Sequence, residues 1–240
     1  MSRTKHVITV IVLSLLGVTM LIALNKIPNQ FEYANSISQH IVNNAVKETG
    51  SLNFVTAILY DYRAYDSLGE STIIFGAVSG IVLLLSRKTL PVSSHGLSFI
   101  VKRTFGMLTP FIFLFSIYII THGHLSPGGG FQGGVILGAI SIIFSIVYGS
   151  EFDYKRYTPT TKTLLETGGA LLFIGLGFLG ILFGGNFLMN MRFLNMGEGS
   201  LISAGSIPFI NTVIGFKIGA GLAIIFYSMI QKTFKEGVDL

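Results

Sequence analysis

Lys217, Glu70 and Glu166 are ionisable residues at or within long apolar stretches of this 240-residue sequence. A charge in the hydrocarbon region of a membrane is costly, so ionisable side chains there are candidates for ion or proton pathways. Lys217 lies near the middle of NTVIGFKIGAGL and needs a carboxylate, backbone carbonyl groups or water beside it. A buried lysine lowers its pKa readily and can pass protons. The alternative is a fixed ion pair with a neighbouring subunit.

Glu70 and Asp66 are four residues apart, so a helix places both carboxylates on one face. They are predicted near the start of a helix, where a carboxylate can also serve only to stabilise the positive end of the helix dipole. Glu166 opens a later apolar segment and has the same alternative. Asp61 and Arg63 are expected to form an interfacial pair or to be solvated.

His122 and His124 flank Gly123 and could accept protons near neutral pH or ligate a metal. No third ligand is close in sequence, so we predict packing or hydrogen bonding here and no metal site. The chain has no cysteine, which excludes disulfides, thiolate zinc sites and cysteine-ligated iron–sulfur clusters. Walker, HExxH, GxSxG and CxxC motifs are missing as well. We therefore predict no catalytic residue and no cofactor.

A glycine-rich stretch, residues 121–138, connects the two halves of a 47-residue run (104–150) without Asp, Glu, Lys or Arg. About 20 apolar residues span a bilayer, so this run must fold back on itself, and the glycines mark the turn. Glycine also permits close backbone approach. The stretch is predicted to be a rigid packing joint with Pro127 and Phe131 as its fixed points, although a merely flexible turn is the alternative. Its structural residues are Pro127, Gly128, Gly129, Gly130, Phe131, Gly133 and Gly134.

The composition is that of a multi-pass membrane protein. Half of the residues are hydrophobic, 11% are charged, and the mean hydropathy is +0.69. A soluble domain carries about 25% charged residues. No basic run of the length expected for nucleic-acid binding occurs, so no nucleic-acid partner is predicted.

We predict an all-α integral membrane protein with about six transmembrane helices. The first, 7–24, is interpreted as a retained signal anchor, because no small-x-small cleavage site follows it. Residues 30–46 are amphipathic, and Leu52 to Tyr60 is too short to span, so an outer interfacial or re-entrant segment is expected between helices one and two. The other predicted helices are 72–86 (starting near 66–69), 105–121, 133–149, 164–183 and 207–231, with a polar loop at 151–162.

The distribution of basic residues predicts the orientation. With the N-terminus inside, eleven Lys and Arg residues fall in cytoplasmic segments and four in outer segments. The positive-inside rule then places both termini in the cytoplasm and the glycine stretch outside. The basic connection within 87–104 is the best domain boundary. It gives a two-helix unit (1–88), a connection (89–104) and a four-helix unit (105–240).

Two sequence stretches resemble known subunits. GHLSPGGGFQGG (123–134) resembles the signature of the B-type (MnhB) subunit of Mrp multisubunit sodium/proton antiporters, which membrane-bound hydrogenases and sulfane-sulfur reductases share. NFVTAILYDYRAYDSLGE (53–70) is similar to the C-terminal part of the large A-type antiporter subunit, which respiratory hydrogenases encode as a separate small E-type subunit. The two units occur in the order found in the antiporter, so the chain resembles a fusion of both.

This resemblance implies a non-catalytic subunit of a sodium/proton antiporter module in the cytoplasmic membrane, most consistent with a hydrogenase-like respiratory complex. It implies other membrane subunits, the bilayer, Na+ and H+ as partners. In the family, residues matching Glu70, Pro127 and Phe131 are associated with antiport activity. The ion-path candidates are Glu70, Asp66, Lys217, His122 and Glu166. Alternatives are a component of a stand-alone Mrp antiporter, an independent six-helix carrier, which the lack of internal repeats disfavours, and a metalloenzyme using His122 and His124.

Overall fold

The computed structural model describes residues 3–25, 31–85, 96–197 and 199–236, and all regular structure in these ranges is helical. The long helices are α1 Arg3–Asn25, α2 Phe31–Thr49, α4 Ala64–Leu85, α5 Phe99–Thr121, α6 Gly130–Val147, α8 Pro159–Gly184 and α9 Ile207–Glu236. The short ones are α3 Phe54–Ala57, a π-helix at Ile58–Tyr62, α7 Ser150–Arg156 and a 3₁₀ turn at Arg192–Leu194.

Five of the described helices, α4, α5, α6, α8 and α9, are long and apolar enough to cross a membrane. A sixth apolar helical stretch, Val10–Ile22 of α1, is shorter. Large apolar side chains on the outside of α4, α5 and α8 are exposed, as expected for surfaces that face lipid or other subunits. The chain is an all-helical membrane protein.

The chain divides into two compact units, residues 1–44 and 45–240. In the first unit, α1 carries an exposed apolar surface from Val10 to Ile22. In the second unit, α9 is the central helix and packs against α4, α5, α6 and α8. Half of its apolar segment is buried within the unit, a larger share than in any other candidate span. Polar side chains on α9 are therefore enclosed by the neighbouring helices.

Helices α6 and α9 approach each other closely along glycines. A Cβ atom on Gly134 would lie 2.7 Å from the carbonyl oxygen of Gly215, and one on Gly138 would lie 2.9 Å from that of Gly219. Small residues at such positions let helix backbones pack closely where apolar burial gives no driving force. Gly215 and Gly219 of α9 are thus used for helix packing within this chain.

The segment before α4 is a series of short helical pieces. Asn53 caps α3 by accepting hydrogen bonds from the backbone N–H groups of Val55 and Thr56. The following π-helix is Ile58–Tyr62. Arg63 caps its end, and α4 starts at Ala64. A π-helical turn widens the backbone and occurs frequently at functional sites. This segment is too short to span, in agreement with the sequence-based expectation.

Several predicted boundaries are wrong. The fifth helix starts at Pro159 and not near Leu164, because Thr158 caps it and Pro159 fits its first turn. Residues 151–162 are not a polar loop, since α7 and the start of α8 occupy most of them. The helix predicted at 105–121 begins at Phe99. Only 122–129 of the glycine stretch is loop, and Gly130, Gly133 and Gly134 belong to α6.

Candidate functional site

Lys217 and Glu166 form an ion pair inside the second unit. Lys217 is 0% exposed and Glu166 is 3% exposed. The Lys217 Nζ atom lies 3.8 Å from Glu166 Oε1, which is too long for a hydrogen bond. Among the described residues, that carboxylate oxygen has no hydrogen-bond partner. The pair is electrostatically coupled but leaves a buried acceptor free to bind a proton or another donor.

Helix α4 supplies the other contacts of Lys217. The ammonium group donates a hydrogen bond to the backbone carbonyl oxygen of Ser71 at 3.1 Å. It also lies 5.6 Å from the centroid of the Phe75 ring, within the range of a cation–π interaction. Three helices, α4, α8 and α9, therefore meet at this one cation.

Two glycines lie beside the pair. A Cβ atom on Gly169 would lie 2.7 Å from the Cβ atom of Lys217, so only glycine lets α8 approach the lysine stem at this distance. A Cβ atom on Gly221 would lie 3.6 Å from Glu166 Cγ. The separation of α8 and α9 at the ion pair thus depends on Gly169, whereas the distance at Gly221 is an ordinary van der Waals contact.

A groove of about 390 Å³ opens between α4 and α8 beside the pair. Ser71 and Phe75, which contact Lys217, line it together with the hydroxyl-bearing residues Thr72 and Thr167. The groove is therefore separated from the Lys217 ammonium group only by residues that contact it.

The alternative role of Glu166 as a helix-end charge is wrong. Glu166 lies in the third turn of α8, beyond the first-turn N–H groups that a terminal charge would stabilise. The fixed ion pair considered for Lys217 involved a neighbouring subunit, whereas the structure places the partner carboxylate in the same chain. Asn211 lies on a different side of α9, as its spacing from Lys217 predicts, and contacts α6.

Sequence reasoning missed a second buried pair, Asp153 of α7 and Lys162 of α8. Their side chains form a short direct ion pair, and Asp153 also accepts a hydrogen bond from Ser141 Oγ at 2.7 Å. Both residues were expected in a polar loop. The Thr158-Pro159 sequence could have revealed the pair, because it is typical of a helix start. A helix that starts there places Lys162 one turn before Glu166.

The loop at 122–129 is held by the segment around Asn53. The Asn53 side-chain amide donates hydrogen bonds to the carbonyl oxygens of Gly123 at 2.8 Å and Ser126 at 2.9 Å. Thr56 Oγ1 donates to the same Gly123 oxygen at 2.6 Å. Ser51 Oγ and the Asn53 backbone N–H both donate to the carbonyl oxygen of His124. Carbonyl groups that the turn leaves without helix partners are satisfied in this way.

The other side of the loop is fixed by Asn211. Its Oδ1 atom accepts a hydrogen bond from the backbone N–H of Gly130 at 2.9 Å and so caps the start of α6. Gly129, immediately before, has φ +146°, a conformation that side chains rarely adopt. Phe131 packs against the apolar core, but Pro127 is exposed. The anchors of the loop in this chain are Asn53 and Asn211, whereas the expected anchor Pro127 is at its surface.

The two histidines have different surroundings. His124 is fully buried, and its Nε2 atom lies 3.1 Å from the carbonyl oxygen of Ser200. Burial lowers the pKa of His124, partly offset by that carbonyl group. His122 stacks on Tyr118 with ring centroids 4.2 Å apart. In the described ranges, no three His, Asp or Glu side chains are grouped to hold a metal.

Glu70 and Asp66 lie on the exposed surface of α4. The helix begins at Ala64, so Glu70 is in its second turn and not in the first turn as predicted. Asp66 pairs with Arg63 at 2.5 Å, and not Asp61 with Arg63. Asp61 is partly buried, which raises its pKa, while nearby Arg192 and Asn190 act in the opposite direction. The structure does not bring Glu70 or Asp66 to the Lys217–Glu166 pair.

A family profile described as "Domain related to MnhB subunit of Na+/H+ antiporter" matches residues 100–224, more than half of the chain. The chain belongs to the MnhB-related family. A second profile, MbhE, which describes the E-type subunit of MBH, matches residues 2–98. This MnhB-related chain therefore carries both an MnhB-like domain and an MbhE domain, as the resemblance of the two sequence stretches indicated.

Two related protein sequences align with this MnhB-related chain. It is 33% identical to an uncharacterised protein of Methanocaldococcus jannaschii over 71% of this chain and 74% of that protein. It is 30% identical to the B-type Na(+)/H(+) antiporter subunit of Alkalihalophilus pseudofirmus over 50% of this chain and 83% of that protein.

Two solved structures share the fold of the MnhB-related chain. A chain of the membrane-bound sulfane sulfur reductase, an archaeal respiratory membrane complex, is 29% identical with a TM-score of 0.71, covering 95% of this chain and 98% of that one. A chain of the Mrp complex from Dietzia sp. DQ12-45-1b is 23% identical with a TM-score of 0.60, covering 96% of this chain and 26% of that one.

Proposed function

We propose that this chain is a non-catalytic membrane subunit of a sodium/proton antiporter module within a respiratory complex. The nearly one-to-one overlap with a chain of the archaeal sulfane sulfur reductase supports a respiratory host. By contrast, the Mrp chain with the same fold is nearly four times as long, since this chain covers only 26% of it. The presence of both an MnhB-like and an MbhE match in one polypeptide also supports a respiratory host.

Within that complex, the Lys217–Glu166 pair is proposed to lie on the ion path. The observation that carries this is a buried ion pair between Lys217, near the middle of the apolar part of α9, and Glu166, in the third turn of α8. One carboxylate oxygen of the pair lacks a hydrogen bond within the described residues. A pair with only a structural role gains most when its remaining donors and acceptors are satisfied. An unsatisfied pair is better suited to exchange its proton.

The surroundings of Lys217 allow both the ammonium form and the neutral amine. Its remaining contacts, a backbone carbonyl oxygen and an aromatic ring, stabilise the ammonium form without fixing it in a second ion pair. Loss of a proton to Glu166 would leave a neutral amine and a carboxylic acid, which are less costly to bury than two charges. The mostly apolar groove between α4 and α8 lies beside Ser71 and Phe75, two residues that contact Lys217.

The placement in the membrane follows the distribution of charge. We place the chain in the cytoplasmic membrane with both termini in the cytoplasm and the 122–129 loop outside. The exposed faces of α4 and α5 contact lipid or neighbouring subunits, and Glu70 and Asp66 face such a neighbour from α4. We propose a two-helix unit, 1–88, and a four-helix unit that begins with α5 at Phe99 and not at residue 105. Its partners are the other subunits, Na+ and H+.

The test is to purify the native complex through a tag on this chain and to reconstitute it in vesicles. We expect co-purification with further membrane subunits and proton movement that depends on sodium, which Lys217→Met abolishes. The matched control is Lys155→Met, because Lys155 pairs with Glu151 on the surface of α7. A chain that purifies alone and exchanges sodium for protons would identify an independent carrier. Copurification with antiporter subunits only would identify a stand-alone antiporter.

A further inference from the structure

The two buried ion pairs of the second unit lie next to each other along α8. Lys162 pairs with Asp153, and Glu166, four residues later, pairs with Lys217. Residues four apart on a helix are neighbours on one face, with Cβ atoms about 5–6 Å apart. Asp153 and Lys217 are 0% exposed, and the other two are at most 4% exposed. Negative and positive groups therefore alternate in one buried row: Asp153, Lys162, Glu166, Lys217.

The row runs from the end of the helix bundle to its centre. Lys162 is in the first turn of α8, whereas Lys217 is ten residues, or about 15 Å, from the first residue of α9. At the α7 end, a cavity of about 100 Å³ has a mostly apolar lining that includes Ala220 of α9, with Lys162, Ser141 and Tyr157 as its polar residues. A cavity of this size can hold a water molecule where these three polar groups bind it.

We propose that Asp153 and Lys162 are a second station of the ion path, through which protons pass between this cavity and the Glu166–Lys217 pair. This rests on the proposed function of that pair. The Lys162 ammonium gives a proton to the Glu166 carboxylate, leaving an amine and a carboxylic acid. Once the Lys217 ammonium has released its own proton toward the opposite side of the membrane, Glu166 gives its proton to the neutral Lys217 amine. A hydronium ion in the cavity then reprotonates Lys162 and becomes water, so one proton enters and one leaves. Charge and protons balance at each step.

The groups that face the second station fit this role. Ser141 from α6 donates to Asp153, which holds the carboxylate beside Lys162. The Tyr227 ring of α9 lies 5.2 Å from the Lys162 ammonium and supports the cation without removing its proton. Tyr157 lines the cavity on the same side. With the orientation that the basic residues predict, this end of the path opens toward the cytoplasm.

The alternative is a latch that only holds α7 against α8. Removing one partner of a buried pair strands the other charge, so either single substitution can disturb assembly in both cases. The double variant Asp153→Asn/Lys162→Met removes both charges and separates the two roles. A latch predicts wild-type assembly and wild-type sodium-dependent proton movement. A station predicts wild-type assembly and an initial rate lowered at least about tenfold, in the range for loss of a proton-transfer group.

The cavity itself is tested by thiol labelling, which is clean in this subunit because the chain has no cysteine. In the intact complex, Ala220→Cys should react with a charged methanethiosulfonate reagent, as should Thr161→Cys at the exposed start of α8. Leu172→Cys on the exposed apolar face of α8 should not react. Labelling of this subunit is measured by mass spectrometry.

These measurements distinguish the two proposals. If Lys217→Met abolishes transport while Asp153→Asn/Lys162→Met retains it, the second station is overturned and the proposed function stands. If all of these variants transport normally, the proposed function fails. An unreactive Ala220→Cys with a reactive Thr161→Cys would show that the cavity is closed to water and would overturn the proposed route.

Discussion

Asn53 donates its side-chain amide to the carbonyl oxygen of Gly123 at 2.8 Å. Asn53 belongs to the segment that matches the MbhE profile, and Gly123 belongs to the MnhB-related segment. The same amide reaches Ser126, and Asn53 also caps α3. The Asn53 side chain therefore helps to join the two family-matched segments at the loop between α5 and α6, together with the hydroxyl groups of Ser51 and Thr56.

Asn53→Ala is expected to destabilise this joint. It removes the cap of α3 and two donors to carbonyl groups of the loop, which together cost about 1–3 kcal/mol. We expect a lower midpoint of thermal unfolding for the purified complex. Asn53→Asp keeps the capping oxygen but sets a carboxylate oxygen against the two carbonyl oxygens, so it should destabilise the joint at least as much as Asn53→Ala. Asn43→Ala, on the exposed face of α2, is the control. Equal midpoints for all four proteins would contradict the role of Asn53.

Gly169→Ala is expected to disturb the Lys217–Glu166 pair without changing either charged residue. Its Cβ atom would lie 2.7 Å from that of Lys217, so α8 and α9 must move apart. Overpacking of this kind costs about 1–3 kcal/mol. We expect lower stability and slower sodium-dependent proton movement in reconstituted vesicles.

Gly168→Ala is the matched control for Gly169→Ala, because a Cβ atom on Gly168 meets nothing within 4 Å. Replacing a helical glycine in open space by alanine is neutral or stabilises by up to about 1 kcal/mol. If the two alanine variants behave alike, the close approach of α8 to Lys217 is not important for transport.

His124 predicts a pH dependence of stability. Burial lowers its pKa below the ordinary value of 6.5 in the folded protein. The neutral imidazole is thus favoured by folding, so its contribution is fully present above pH 6.5 and is lost as the pH falls toward the lower folded pKa. Protonation would also place a second N–H at Nδ1, which has no partner among the described residues.

His124→Gln tests this dependence, since glutamine keeps a donor but does not titrate in this range. Between about pH 7.5 and 5.5, we expect wild type to lose up to about 1 kcal/mol per pH unit more stability than the variant. Parallel curves for wild type and His124→Gln would contradict the burial effect.

Glu70→Gln is expected to leave the assembled complex intact and to slow sodium-dependent proton movement. Glu70 lies on the exposed face of α4, so the substitution strands no buried charge within this chain. Initial rates in vesicles give the comparison, with Glu151→Gln on α7 as the control. Unchanged transport in the Glu70 variant would reduce this residue to a surface charge.

The sequence predicted the helical membrane fold because long apolar runs and few charges leave little choice in a bilayer. It also indicated Lys217 as a buried ionisable residue, since its position in the span is far from either end. The identity of its partner depends on the rotation and depth of α8 relative to α9. The close approach of the two helices depends on Gly169, whose contact with Lys217 no local sequence pattern encodes.

Other parts of the site were missed for local reasons. Lys162 was placed in a loop because the start of α8 was predicted about five residues late, although Thr158-Pro159 marks it. Asn53 was recognised in a motif, but its reach to Gly123 spans 70 residues of sequence. Pro127 was expected to fix the loop and is instead exposed, since the hydrogen bonds of Asn53 and Asn211 hold the backbone on either side.

The central claim, that Glu166 and Lys217 lie on the ion path, is tested most directly by a charge-pair cycle. The initial rate of sodium-dependent proton movement is measured for complexes carrying Glu166→Gln, Lys217→Met and both substitutions, each normalised to the amount of assembled complex. We predict that the double variant recovers assembly relative to the single variants, because no buried charge is left unpaired. Its transport should stay at least about tenfold below wild type. Recovery of wild-type transport in the double variant would contradict the account.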